Sequence, residues 1–232
     1  MLFVTGDTHG DIERFTGRET KRLSVGDILF VCGDFGFIWD GNDAEKKNLK
    51  KLKKLKYTIA FVEGSHENFG RINSFPEEEW CGGKIHRIAP NIIHLARGQY
   101  YTVQGKTIFT MGGGASDDAA LSDTDDWWSS DLPNKAELIA GAANLELHES
   151  AVDIVITHEP SLKVKELLAV NSDNKIIRLN ALNAFLEELA ENVEYKKWYF
   201  GSLHIDKRIT AKKRAIFSDI VEIHTDKDDI VL

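Results

Sequence analysis

The sequence predicts an α/β layered fold with mixed sheets, on three observations. Short apolar, β-branched runs recur, each stopped by a polar turn: Leu2 to Thr5, Ile28 to Cys32, Thr58 to Val62 and Asp153 to Thr157. They lack clean alternation, which suits strands buried on both faces. Between the second and third run, Asp43 to Lys56 places Leu49, Leu52 and Leu55 at helical spacing among lysines, the pattern of an amphipathic crossover helix. Finally, Tyr100 to Val103 and Lys106 to Met111 flank Gln104-Gly105 as in a hairpin, and Arg214 to Phe217 and Ile220 to His224 flank Ser218-Asp219 in the same way. Strands alternating with helices, plus hairpins, give a layered sheet architecture.

Two further helices are expected, Asn134 to Glu149 just after Pro133, and Asn180 to Glu191. From Gly112 to Asp131 six aspartates surround Trp127-Trp128 with no periodicity, as in a lid or binding element. The 232 residues carry 29 Lys+Arg against 37 Asp+Glu, a net charge of −8, with 42% apolar residues. That composition excludes disorder and collagen-like repeats and fits one domain over residues 1–232. It argues against a general nucleic-acid coat but leaves room for a local basic groove. Two cysteines, Cys32 and Cys81, make no disulfide framework or C-x-x-C pair. An acidic residue follows the first few apolar ones, and no run approaches the length of a membrane span. A cytoplasmic protein with no membrane association is the expectation.

Polar residues collect just after the predicted strands, where open α/β sheets build their sites. They are Gly6-Asp7-Thr8-His9-Gly10-Asp11, Gly33-Asp34, Gly64-Ser65-His66-Glu67-Asn68, Thr157-His158-Glu159-Pro160 and Gly201-Ser202-Leu203-His204. A helix-capping role would account for Asp7 alone, and a structural role for His158 or His204 alone. Their joint occurrence points instead to a hydrolytic metal site, because hard carboxylates and imidazoles converging from strand ends suit a divalent cation.

In their order these motifs resemble those of the calcineurin-like metallophosphoesterases: Asp-x-His, Gly-Asp, Gly-Asn-His-Glu/Asp, a lone His, and Gly-His-x-His. The match runs from Asp7 to His204. Gly112-Gly113-Gly114-Ala115-Ser116-Asp117-Asp118 also resembles a Gly-Gly-Ala-x-Ser-x-Asp segment of small bacterial members. The resemblance implies a four-layer α-β-β-α sandwich, two mixed β-sheets flanked by helices, with a two-metal site at the strand ends. It implies that Asp7, His9, Asp34 and His204 hold the first metal and that Asp34 bridges to a second, which also takes His158. His66 matches the catalytic histidine, and Glu67 and Asp118 are candidate substrate contacts.

Three positions and one short run depart from the pattern. Ser65 stands at the Asn ligand and Ser202 at the first His of the last motif, so both lost ligands belong to the second metal. Phe37 stands where the second motif commonly has another Asp, and whether Asp40 substitutes for it is open. Ala119-Ala120-Leu121-Ser122 follow Asp118 where basic residues would clamp a phosphate. The expectation is a phosphoesterase acting on a phosphomonoester or phosphodiester through metal-activated hydroxide, with one strong site and a weak or absent second. Its ligand is a phosphate-ester small molecule or nucleotide, and its metal Mn²⁺ first, with Fe²⁺, Zn²⁺ or Ni²⁺ compatible with the same donors. The rival is a degenerate member that binds metal, phosphate or protein without turnover. A nucleic-acid role, resting on the lysine helix and the tryptophans, is less favoured, and the oligomeric state is open.

Overall fold

In the computed structural model, which describes residues 1–115, 130–170 and 179–232, the strands form two mixed sheets. The first is built on β1 (Leu2–Thr5), β2 (Ile28–Cys32), β3 (Thr58–Val62) and β6 (Ile92–Leu95), which run parallel. The antiparallel β4 (Glu77–Trp80) and β5 (Gly83–Ala89) extend one side, and β13 (Val221–Glu222) and β14 (Ile230–Val231) the other. The second sheet has the parallel set β8 (Lys106–Met111), β9 (Ala151–Thr157), β10 (Glu194–Phe200) and β12 (Lys213–Ala215). Antiparallel β7 (Gln99–Val103) and β11 (Lys207–Arg208) close its edges.

Alternation along each strand sorts its side chains into three apolar layers. Leu2, Val4, Phe30, Cys32, Ala60 and Val62 face Ile108, Ile154, Ile156 and Tyr199 between the sheets. Phe3, Leu29, Val31, Ile59 and Phe61 lie on the outer face of the first sheet with Phe15 and Leu52, which come from α1 (Glu13–Thr16) and α2 (Asp43–Leu52). Phe109, Met111, Val155, Trp198 and Phe200 lie on the outer face of the second. There they meet α4 (Lys135–Leu147), α5 (Leu162–Val170) and α6 (Ala181–Asn192) through Leu145, Val164, Leu182 and Leu186; α3 (Phe69–Ile72) packs on the first sheet. The expected helix–sheet–sheet–helix layering is therefore present, and the central strands are buried on both faces.

The helix ends follow local chemistry. Asn134 and Asn180 each cap a helix through a capping box, the first completed by Glu137 and the second by Asn183. The lysine helix stops at Leu52 rather than Lys56, where the Asn91 amide donates to the carbonyls of Leu52, Leu55 and Tyr57 at 3.0, 3.2 and 3.4 Å. The hairpin around Gln104-Gly105 is present, with both residues at positive φ as its tight turn requires. The second expected hairpin is not. Lys213–Ala215 pairs in the second sheet and Val221–Glu222 in the first, so the chain crosses between sheets at Ser218-Asp219. The Asp206 carboxylate holds that crossing, accepting from the amides of Phe217, Ser218 and Asp219 at 2.8, 3.0 and 3.1 Å. No helix among the described residues is long and apolar enough to cross a membrane.

Candidate metal centre

The register of the parallel strands brings the polar loops to one level. Thr5 pairs with Val31, Cys32 with Val62, and Thr157 with Phe200, so the chain leaves β1, β2, β3, β9 and β10 toward a common edge. The first two loops are tied together, because the amides of Thr8 and His9 both donate to the Asp34 carbonyl at 3.1 and 2.8 Å. His9, Asp34, Ser202 and His204 all sit at positive φ, between 44° and 66°. Such backbone costs of order 1–3 kcal/mol per residue and collects where a side chain must be aimed. Several of the loop glycines leave no room for a side chain, Gly33 and Gly64 among them. A Cβ on Gly33, itself at φ 103°, would lie 2.1 Å from His158 Nδ1, and one on Gly64 would lie 2.0 Å from Asp34 Oδ1.

The result is a cluster in which one donor atom each from Asp7, His9, Asp34 and His204 falls within 4.8 Å of every other. His204 Nε2 lies 3.1 Å from Asp7 Oδ2 and 3.0 Å from His9 Nε2, and His9 Nε2 lies 3.9 Å from Asp34 Oδ2. Both carboxylates are buried and both imidazoles exposed, so the cluster opens on one side. His158 is buried behind it. Its Nδ1 donates to the Cys32 carbonyl at 3.0 Å and lies 3.4 Å from Asp7 Oδ1, which turns Nε2 toward Asp34 Oδ1 at 3.9 Å. A ring nitrogen fixed on a backbone carbonyl is the usual support for an imidazole whose other nitrogen ligates a metal.

The electrostatics follow from two buried carboxylates side by side. Burial acts to raise Asp7 and Asp34, but the charge of His158 combined with hydrogen bonds, from His158 and His204 to Asp7 and from His66 to Asp34, outweighs it, and both lie below the usual carboxylate range. Burial acts to lower His158, yet Asp34 and Asp7 raise it to about 10. His204 is raised by its hydrogen bond to Asp7, whereas burial lowers His9 despite the same two carboxylates. Hard anionic oxygens and imidazole nitrogens aimed at one open point form a donor set that fits a divalent cation.

The remaining predicted residues lie around this cluster. His66 donates its amide to Asp34 Oδ1 at 2.8 Å, and its Nδ1 is 3.2 Å from Asp34 Oδ2 and 3.0 Å from Ser65 Oγ. Ser202 reaches the site through its backbone, its amide donating to Asp7 Oδ2 at 2.9 Å. The Glu67 carboxylate points inward, is 2% exposed, and accepts from the Phe35 amide. Burial and the charge of Asp34 hold it well above the usual range. Phe37 packs against Phe15 and Phe35, and Asp40 bonds to Asn42 in an exposed turn away from the cluster. Asp118 and Trp127-Trp128 lie outside the described residues.

Two acidic residues near the cluster escaped the sequence reading. Glu63, at the end of β3, is buried between His94, 2.7 Å away, and the Arg97 guanidinium. Asp131 is buried, its carboxyl pushed up to about 7 by desolvation against the opposing charges of Arg97 and His66. The signal for Glu63 was a lone carboxylate ending an apolar strand; Asp131 was indistinguishable among six aspartates.

No family model matches this chain, and no curated protein matches it. Among solved structures, a protein serine/threonine phosphatase from Saccharomyces cerevisiae, described as similar to human phosphatase PP5, aligns with 93% of this chain at 16% identity and a TM-score of 0.38. The alignment covers 66% of that protein, so this chain spans just under two thirds of its length.

Proposed function

We propose that the protein is a metal-dependent phosphoesterase that hydrolyses a phosphomonoester or phosphodiester, with a strong cation site at Asp7, His9, Asp34 and His204 and a depleted second one. The observation that carries this reading is the convergence of two buried carboxylates and two exposed imidazoles within 4.8 Å, at the carboxyl ends of parallel strands. A divalent cation held there supplies charge neutralisation to a phosphoryl oxygen and lowers the pKa of a water ligand. Asp7 is fixed for its role by the Ser202 amide and Asp34 by the His66 amide. His66, held at Nδ1 by Asp34 and Ser65 and partly exposed, stands at the rim to hold a proton for the leaving oxygen. Glu67 positions the Asp34 loop through Phe35 rather than meeting substrate. His158, beside Asp34, is the remaining side-chain ligand for a second cation, with Ser65 and Ser202 offering only hydroxyls.

Those two serines favour a second reading, a protein that binds metal and phosphate without turnover. The deciding experiment is Mn²⁺-dependent hydrolysis of p-nitrophenyl phosphate and bis(p-nitrophenyl) phosphate, with bound Mn²⁺ counted on the same samples. The expected result is one tightly held ion per chain and turnover that Asp34→Asn abolishes together with the ion. Metal binding without turnover, restored in the Ser65→Asn, Ser202→His double variant, would establish the second reading. Absence of bound metal in the unaltered protein would overturn both.

A further inference from the structure

The charge of this chain is unevenly placed. Seven of its 29 basic side chains, Lys46, Lys47, Lys50, Lys51, Lys53, Lys54 and Lys56, fall within eleven residues of a protein whose net charge is −8. All seven are exposed. Among the described residues only Lys46 has an acidic partner, Asp43 at 3.6 Å. At 100° per residue, Lys46, Lys47, Lys50 and Lys51 span an arc of about 140° on α2, and Glu45, Leu49 and Leu52 occupy the opposite side. That opposite side is committed to the fold. Leu52 is fully buried, Leu49 and Leu55 pack on the first sheet, and Glu45 binds the amides of Trp39, Asp40 and Gly41 and pairs with Arg71.

Helix stability does not explain the lysine face. Cations at the last turn complement the helix dipole, which accounts for Lys50 and Lys51, but Lys46 and Lys47 stand in the second turn. Like charges at i, i+4, as in Lys46/Lys50 and Lys47/Lys51, repel one another. A face that sets these cations together at its own cost, with, among the described residues, only Lys46 paired to an acidic side chain, is complementary to a polyanion.

We propose that the lysine face of α2 docks the phosphate backbone of a nucleic acid, through charge and without reading sequence. An anionic membrane surface offers similar charge, but an interfacial helix must also bury its apolar side in lipid. Here that side is already spent on the core, so nucleic acid is the better fit. Binding is independent of the phosphoesterase reading, because no metal ligand takes part.

The test is fluorescence anisotropy of the full chain with a labelled 20-base-pair DNA duplex in EDTA, titrated with salt. Each phosphate neutralised contributes about −0.9 to the slope of log K against log salt. The Lys46→Gln, Lys47→Gln, Lys50→Gln, Lys51→Gln variant is expected to bind at least tenfold more weakly at low salt and to lose about three to four units of that slope. The matched control, Lys21→Gln, Lys84→Gln, Lys135→Gln, Lys163→Gln, has the same net charge and is expected to bind like the unaltered protein. Circular dichroism checks that both are folded. Equal weakening in both variants, or no binding at low salt, would overturn the proposal. Cosedimentation with phosphatidylserine vesicles but no duplex binding would reassign the face to membranes and overturn it equally.

Discussion

At Gly33 a single methyl group decides whether the site can form. The residue sits at φ 103°, and its missing Cβ leaves the space that His158 Nδ1 occupies. Gly33→Ala therefore adds left-handed strain and overpacking together and is expected to cost on the order of 2–3 kcal/mol. Displacing His158 from between Asp7 and Asp34 should also weaken Mn²⁺ binding, so the thermal midpoint and a Mn²⁺ titration are expected to fall together. Glu63 makes a different case. Burial acts to raise its carboxyl, but Arg97 and His94 hold it down to about 2, against 4.5 when unfolded. A carboxyl depressed in the folded state contributes fully above pH 4.5 and loses that contribution as pH falls toward 2. The difference corresponds to stability on the order of 3 kcal/mol. Glu63→Gln is thus expected to lower the urea midpoint strongly at pH 7, with the gap to the unaltered protein closing between pH 4.5 and 2. The Asp7, His9 and Asp34 positions were legible in sequence because Gly, Asp and His follow apolar runs there. Glu63 was not, since its partners His94 and Arg97 are more than thirty residues away and only the β3–β6 pairing unites them.

At the scale of elements, local chemistry predicted the bounds of β1, β2, β3 and β8 and the starts of α4 and α6, whereas β4, β5, β6, α1, α3 and α5 gave no signal that the sequence reading used. The Asn134 capping box shows how: the side chain accepts from the Ala136 and Glu137 amides at 2.9 and 3.0 Å while Glu137 returns a bond to the Asn134 amide at 2.7 Å. Asn134→Ala is expected to cost about 1 kcal/mol. Differential scanning calorimetry should register a fall of about 2–4 °C in Tm at this chain length. The failure at Ser218-Asp219 is instructive in the same terms. Both flanking runs are β-formers beside a good turn, and nothing local distinguishes a hairpin from a crossing between sheets. Asp206, eleven or more residues upstream, decides it by binding three successive amides of the turn. The lysine helix likewise ends where Asn91 meets its last carbonyls, a partner 36 or more residues from them for Leu52 and Leu55.

For the whole molecule, two sheets facing each other through one apolar layer fix where the loops of both can meet. Asp7 and Asp34 come from the first sheet, and His158 and His204 from the second, so a bound cation would cross-link the sandwich. A ligand that binds the folded form alone stabilises it, by about 2.7 kcal/mol when present at 100 times its dissociation constant. Adding Mn²⁺ is therefore expected to raise Tm by roughly 5–10 °C, a rise that chelation reverses and Asp34→Asn removes. A Tm indifferent to Mn²⁺ would count against the site irrespective of any substrate.

The runs at Leu2–Thr5, Ile28–Cys32 and Thr58–Val62, the helices that begin after Asn134 and Asn180, and the loops that carry Asp and His were determined by the sequence, because each depends on residues a few positions apart. Tertiary structure alone decided which loops converge, that Glu67 turns inward while His66 remains at the rim, and that the C-terminal segment divides between the sheets. Those outcomes rest on long-range pairing register and on single carboxylates, the exposed Asp206 at the crossing and the buried Glu63 after β3. Their partners come within reach only once the chain has paired and turned, Glu63 through the β3–β6 pairing and Asp206 at the crossing between sheets.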